Sequence, residues 1–285
     1  MSRHDGHGPL VAFTSLAIAG AGVIVASVCL ELTHDHLHSS ALVAAFLLQP
    51  GGLAVSLAHL GQVRRAALAM RGAGRSALSN EVILAPLALA CGALVAANGV
   101  WGRPMPALTV IAGAVNALFL LSIGLVYRVR GQRTWQSASA FTPLTAGCAF
   151  GAIAIQSVFV GGDGGGLNLA VLFVLLDAAV FVQRWRDVAA VRIPAASLSG
   201  SRMSHRNQLL GARFALLDVL PLLLLLAWPT PLAAVVASAG LLMDRAGFYA
   251  LAFQHTTEHE VAAVEGLMTL EGQTRKKGSD SYPGV

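Results

Sequence analysis

The sequence predicts an all-α membrane protein, a bundle of eight transmembrane helices. Of its 285 residues 55% are hydrophobic and only 12% are charged, with a mean hydropathy of +0.68, far from the composition of a soluble domain. Apolar stretches of roughly 17 to 23 residues, long enough to span a bilayer as helices, recur along the chain. They cover residues 10–30, 41–59, 81–99, 107–127, 140–160, 167–183, 212–228 and 231–253.

Each stretch is expected to be helical, because backbone polar groups in lipid must be satisfied within their own segment. The first stretch is expected to remain as a helix and not to be a cleaved signal, since no positive run precedes it. The eight stretches form one predicted domain, residues 1–271. A polar tail, residues 272–285, has the composition of a disordered segment.

The basic residues predict the orientation of the bundle. Sixteen of the 19 Lys and Arg residues fall on one side of the predicted topology, while Arg103 lies on the other, Arg213 at the boundary and Arg245 inside the last helix. By the positive-inside rule, both termini are expected on the cytoplasmic side of a bacterial inner membrane. Trp101 and Trp228 fall at the predicted outer ends, and the inner ends carry Trp135 and Trp185.

Two long connections on the basic side, residues 60–80 and 184–211, are candidates for docking a peripheral subunit. Arg64, Arg71 and Arg75 are the docking candidates in the first of them. The alternative is plain topogenic charge beside anionic lipid, which also explains the basic composition without nucleic acid.

Ionisable residues inside the apolar stretches are costly in hydrocarbon and usually mark function. On the predicted topology they all fall in one half of the membrane and suggest a polar pocket for a small amphipathic ligand such as a quinone. They are His59, Glu81, Asp177, Asp218, Asp244 and Arg245. Arg245 needs a buried partner, and Asp177 or Asp218 is favoured over Asp244, which points about 100° away on the same helix. The three aspartates are thus candidates for an ion pair or a proton path.

Metal chemistry is not expected from this chain. Cys29, Cys91 and Cys148 are single residues without the spacing of an iron–sulfur cluster or a zinc site. His34, His36 and His38 form a predicted outer loop in which solvation is favoured over weak metal binding.

Residues 59–81 hold the most specific motif. A His-Leu-Gly triplet is followed by Arg65, by Gly74 and by the block Ser-Ala-Leu-Ser-Asn-Glu that opens the third stretch, and a second motif in the last helix is Arg-x-x-Phe-Tyr. With these motifs the chain resembles the membrane anchor subunits of dimethyl sulfoxide reductase and its relatives. The matching residues are His59, Leu60, Gly61, Arg65, Gly74, Ser76, Ala77, Leu78, Ser79, Asn80, Glu81, Arg245, Phe248 and Tyr249.

The resemblance implies a quinone-reactive anchor in a complex with a molybdopterin catalytic subunit and a subunit that carries four iron–sulfur clusters. Ubiquinone or menaquinone would be the ligand, with His59 at its site. Imidazole at a helix end can hydrogen-bond a quinone carbonyl and exchange protons near neutral pH. The candidate quinone residues are His59, Arg65, Ser79, Glu81, Arg245 and Tyr249.

Alternatives stay open for several of these residues. Ser79 or Asn80 can cap the free N–H groups of the third helix, and Glu81 can act there electrostatically. His255 and His259, spaced i, i+4, could hold a haem b with His59, although the related anchors work without haem.

The second inter-helix loop carries four arginines, whereas the first, residues 31–40, carries no Lys or Arg. In relatives with exported catalytic partners the second loop faces outward, and positive charge collects in the first. The chain therefore resembles an inverted, cytoplasm-facing anchor, as in membrane-bound sulfite-oxidising enzymes. Sulfite oxidation feeding the quinone pool is the favoured function. The alternatives are menaquinol oxidation for a dimethyl sulfoxide reductase-type enzyme, a proton-coupled secondary transporter, and a structural tether without quinone.

Overall fold

The computed structural model describes residues 8–34, 39–60, 72, 74–102, 105–128, 137–160, 164–190, 205–228 and 230–250, all within one compact unit. Eight helices follow one another, and no strand occurs in these residues. They are α1 Gly8–His34, α2 Ser39–Leu60, α3 Ala77–Val100, α4 Pro106–Val126, α5 Thr142–Ala154 with a π-helical extension Ile155–Val160, α6 Gly164–Ala190, α7 Arg206–Ala227 and α8 Pro231–Ala250.

The helical membrane bundle is confirmed, but the expectation of eight spans is met only in part. Seven helices are long and apolar enough to cross a bilayer, and α2 is the exception. Its apolar part within the described side chains, Ser39–Val55, is too short, and Gln49 and Pro50 interrupt it near the middle. The hydroxyl of Ser39 donates to the Gly99 carbonyl at 2.9 Å, so α2 begins beside the end of α3.

Several helix ends differ from the predicted ones, and three of them bear on the site. α3 begins at Ala77 instead of residue 81, α6 continues to Ala190 and α7 begins at Arg206. A helix can continue past the end of an apolar stretch because its backbone hydrogen bonds do not depend on the side chains. The predicted loop 184–211 is therefore shorter, and Arg184 belongs to a helix.

α1 lies at the centre of the bundle. In its most apolar window 89% of the residues are buried, against 28% in α6, and α1 packs against α2, α4, α5, α6 and α8. It approaches α5 most closely at Gly22, where an added Cβ would overlap the carbonyl group of Gly147. The outer surface of the bundle is apolar, as lipid requires, and includes Leu172, Leu175 and Leu223.

Two tryptophans directly follow helices at the predicted boundary. Trp101 after α3 and Trp228 after α7 are both largely exposed. Trp185, predicted at an inner helix end, lies five residues before the last residue of α6, and its ring packs edge-on against Phe181. Trp135 is outside the described residues.

Candidate functional site

Six buried charged side chains from α6, α7 and α8 form one cluster, which we call the charge cluster. Arg213 is its centre, because its guanidinium contacts Asp177 at 2.6 Å, Asp218 at 2.6 Å and Asp244 at 3.2 Å. With all groups ionised, three positive and three negative charges cancel. The members are Asp177, Arg184, Arg213, Asp218, Asp244 and Arg245, each no more than 3% exposed.

Asp244 is the second centre of the cluster. Its Oδ1 accepts from Arg184 at 2.7 Å, and its Oδ2 accepts from Nε of Arg245 at 2.8 Å. The prediction that Arg245 pairs with Asp177 or Asp218 is therefore wrong. Neighbouring Cα–Cβ bonds do diverge along a helix, but the long Arg245 side chain can fold back to its neighbour.

Asp177 and Asp218 pair instead with Arg213, which the sequence suggested was a boundary residue. Asp177 also accepts a hydrogen bond from Thr145 of α5 at 2.6 Å, so four helices meet at the cluster.

A π-helical segment of α7, Ala215–Val219, brings Asp218 to Arg213. In a regular α-helix, side chains five residues apart point about 140° away from each other. The wider π turn reduces this angle, and such segments are frequent at functional sites. Gly240 of α8 permits the close packing here, since a Cβ on it would lie 2.5 Å from the backbone nitrogen of Leu217.

Aromatic rings cover the guanidinium groups. Arg213 lies 4.5 Å from the ring centre of Phe181, while Arg184 and Arg245 lie 5.5 and 5.1 Å from that of Phe248. Phe248 belongs to the Arg-x-x-Phe-Tyr motif, so the motif has a clear packing role.

Tyr249 of the same motif forms a hydrogen bond with Tyr127 at 2.7 Å between the hydroxyl oxygens. The pKa of Tyr127, just beyond the spanning part of α4, is raised by burial first and then by Tyr249 and Glu81, while Arg245 lowers it. Tyr127 therefore keeps its proton at neutral pH. Glu81 and Arg245 thus contribute to the electrostatic environment of Tyr127.

The Ser-Ala-Leu-Ser-Asn-Glu block begins at a tight turn that leads into α3. The N–H groups of Arg75 and Ser76 donate to the Gly72 carbonyl, and Gly74 adopts a φ of 75°, which glycine tolerates best. The Asn80 side chain accepts from the Gly74 N–H at 2.8 Å.

The prediction that Ser79 or Asn80 caps α3 is wrong. The helix begins at Ala77, so both residues lie in its first turn, and the residue at the capping position, Ser76, makes no side-chain capping bond. Asn80 instead fixes the preceding turn, and Ser79 is buried against Gly72.

A pocket of about 610 Å³ opens between this turn, the start of α3 and the end of α4. We call it the α3–α4 pocket. One part is polar and cationic and the other consists of leucine side chains. Its lining residues are Gly74, Arg75, Ser76, Ala77, Asn80, Leu84, Leu118, Leu121, Ser122, Leu125 and Arg128.

The predicted quinone residues divide into two groups, four with described side chains and two without. Ser79, Glu81, Arg245 and Tyr249 lie near the pocket or the tyrosine pair but do not line the pocket. His59 is at the end of α2, and its side chain is outside the described residues. Arg64, Arg65, Arg71, His36, His38, His255, His259 and residues 272–285 also lie outside them.

The sequence reasoning missed Arg184, Arg213 and Tyr127. A usable signal was present for the arginines, because three intramembrane aspartates faced a single intramembrane arginine, and the imbalance requires further cations. Tyr127 gave no such signal. In the part of the chain that the structure describes, no group of three His, Cys, Asp or Glu residues could hold a metal ion.

Comparison with known proteins does not assign the chain to a family. No protein-family model and no curated protein matches it.

Proposed function

We propose that this chain is the membrane anchor and quinone-reactive subunit of a molybdopterin and iron–sulfur oxidoreductase, which passes electrons from an iron–sulfur partner to quinone. The observation that carries the proposal is the α3–α4 pocket, built by the same block that supports the family resemblance. Its volume suits a small ligand.

The pocket has the two surfaces that a quinone needs. Arg75, Asn80 and Arg128 offer hydrogen-bond donors to the head-group carbonyls, while Leu118 and Leu125 offer an apolar surface to the isoprenoid tail. Leu118 and Leu125 are about half exposed, so a tail that lies on them can continue into lipid.

Reduction of a quinone to a quinol takes two electrons and two protons. In this proposal the electrons come from the partner's nearest cluster, and His59 or Glu81 passes protons from the aqueous side. The charge cluster has a different role, because its charges are balanced among themselves. In this proposal it holds α8 so that Tyr249 stays hydrogen-bonded to Tyr127, the residue that precedes Arg128 of the pocket lining.

Sulfite oxidation is the proposed source of the electrons, since the basic connections favour a cytoplasm-facing complex. Sulfite and water give sulfate, two protons and two electrons. In the alternative, menaquinol oxidation for a dimethyl sulfoxide reductase-type enzyme, the same pocket would bind menaquinol and the electrons would flow in the opposite direction.

The test is quinone reduction by the complex purified through a tag on this chain. In His59→Ala and in Ser122→Phe, which fills the pocket, we expect sulfite-dependent quinone reduction to fall by about tenfold or more, equivalent to about 1.4 kcal/mol. Reduction of an artificial acceptor at the catalytic subunit should be retained. Leu175→Phe, on the lipid-facing surface of α6, is the matched control and should behave as wild type.

Other results would separate the alternatives. Unchanged quinone reduction in both variants would indicate that the chain is a structural tether without a quinone site. Inactivity with sulfite but quinol-driven reduction of an S-oxide or N-oxide would reverse the direction. If the chain purifies alone and couples solute uptake to a proton gradient in vesicles, it is a transporter and the anchor proposal fails.

A further inference from the structure

A second cavity, the α4–α6 groove, shares Arg128 with the α3–α4 pocket, and its other lining residues have no role in the proposed function. Its volume is about 540 Å³, and it opens toward the lipid-facing surface. Its lining residues are Arg128, Ala138, Phe141, Ala179, Val180 and Gln183.

The groove exists because small side chains meet between three elements. The turn Ser137–Ala140 runs so close to α4 that a Cβ on Gly124 would overlap the carbonyl oxygen of Ala140. On the other side α6 contributes the apolar side chains of Ala179 and Val180. The result is an apolar channel along the bundle surface, with the ring of Phe141 half exposed to lipid.

The polar end of the groove lies where α4 ends. Arg128 is exposed there, two residues after the last residue of α4, and Gln183 ends the apolar stretch of α6. The amide nitrogen of Gln183 donates to Asp187 at 3.0 Å, so one carboxylate stands nearby. Arg186, also exposed, follows Gln183 within one helical turn.

We propose that the α4–α6 groove binds an anionic phospholipid, with the phosphate on Arg128 and an acyl chain along Phe141, Ala179 and Val180. A cation at the head-group level above an apolar channel between helices is the arrangement that an anionic lipid fits, because the charge and the chain are satisfied together. A soluble anion would leave the channel unfilled. This inference does not depend on the quinone proposal.

The test is lipid retention by the full chain purified in mild detergent, measured by native mass spectrometry with phosphatidylglycerol and phosphatidylcholine. We expect wild type to favour phosphatidylglycerol. Arg128→Gln should lower its binding by about fivefold, which corresponds to about 1 kcal/mol for one arginine, and Arg128→Lys should keep the preference. Ala179→Phe fills only the groove and should lower the binding of both lipids.

Arg75→Gln is the matched control, because Arg75 lines the α3–α4 pocket and not the groove. Phosphatidylglycerol binding should be unchanged in this variant. Equal retention of both lipids by wild type, or the same loss in Arg75→Gln as in Arg128→Gln, would overturn the proposal. Each variant's elution as a single species in size-exclusion chromatography checks that it is folded, and quinone reduction by Ala179→Phe should stay at the wild-type level.

Discussion

Arg213 shows how a single side chain can hold three helices in a low-dielectric environment. A charged residue at the centre of a membrane costs about 2.5 to 3.5 kcal/mol to insert, and a buried pair broken on one side leaves an uncompensated charge. Arg213 contacts all three aspartates of the charge cluster and stacks on Phe181. Its removal therefore affects several groups at once.

We expect Arg213→Met to destabilise the protein by about 3 to 5 kcal/mol, because Asp177 and Asp218 lose their main partner. The free energy of unfolding in mixed detergent micelles measures this. The double variant Arg213→Met, Asp218→Asn again has equal numbers of positive and negative charges in the cluster, and Asp177 keeps its hydrogen bond from Thr145. It should recover part of the loss.

Arg186→Gln is the control for the charge itself, since Arg186 is an exposed residue of the same region. Its effect should stay within about 0.5 kcal/mol. A double variant no more stable than Arg213→Met alone would show that charge compensation is not what Arg213 supplies.

At the scale of helices, close backbone approach decides how α1 and α5 pack. Lipid is as apolar as a leucine side chain, so helices in membranes associate through packing and small residues at their interfaces. Gly22 faces Gly147 and Gly151 across the crossing, with backbone against backbone. The neighbour is therefore a rigid carbonyl group, which cannot move aside as a side chain could.

Gly22→Ala should lower the free energy of unfolding by about 1 to 3 kcal/mol, the usual cost of overpacking. Gly211→Ala in α7 is the matched control, because no heavy atom lies within 4 Å of the added Cβ there. That variant should be neutral or up to about 1 kcal/mol more stable, since alanine is the better helix former. The thermal unfolding midpoints of the two variants measure this difference. Equal midpoints would mean that α1 and α5 are not tightly packed at Gly22.

At the scale of the whole molecule, the topology depends on whether α2 crosses the membrane. It begins beside the end of α3, at the contact between Ser39 and Gly99, while the turn at Gly74 leads into the opposite end of α3. At about 1.5 Å per residue a helix of 22 residues extends about 33 Å, so its length is adequate even though its apolar portion is short.

Cysteine labelling tests the crossing in a background in which Cys29, Cys91 and Cys148 are replaced by serine. Ser40 and Ser76 are both exposed, one at the start of α2 and the other just before α3. In intact cells, Ser40→Cys should react with a membrane-impermeant thiol reagent, and Ser76→Cys should react only after permeabilisation. If the two sites are labelled alike, α2 enters and leaves on one side.

The sequence predicted the fold well because hydrocarbon thickness and backbone satisfaction restrict what an apolar stretch can be. All eight stretches are helices in the structure. The ends of α6 and α7 were predicted less well, since residues such as Arg184 and Arg213 look like boundary markers in sequence. Their burial depends on aspartates from other helices. The hydropathy of one segment carries no information about those partners.

The candidate site could be predicted only in outline. The Ser-Ala-Leu-Ser-Asn-Glu block does lie at a pocket, but Ser76 and Asn80 line it and Ser79 does not. The difference follows from the helix beginning four residues earlier than expected, which changes which side chains face α4. Tyr127 joins Tyr249 across 122 positions of sequence, a pairing that local patterns do not encode.

The charge cluster also has a consequence for biogenesis. Each of α6, α7 and α8 brings one aspartate and one arginine to the cluster, so each segment can leave the translocon with its intramembrane charges balanced. All ion pairs of the cluster can form only when the three helices lie side by side, because Arg213 and Asp244 also have partners on other helices. A chain truncated or misinserted after α6 would leave Asp177 and Arg184 exposed in lipid, the kind of defect that membrane quality-control proteases can recognise.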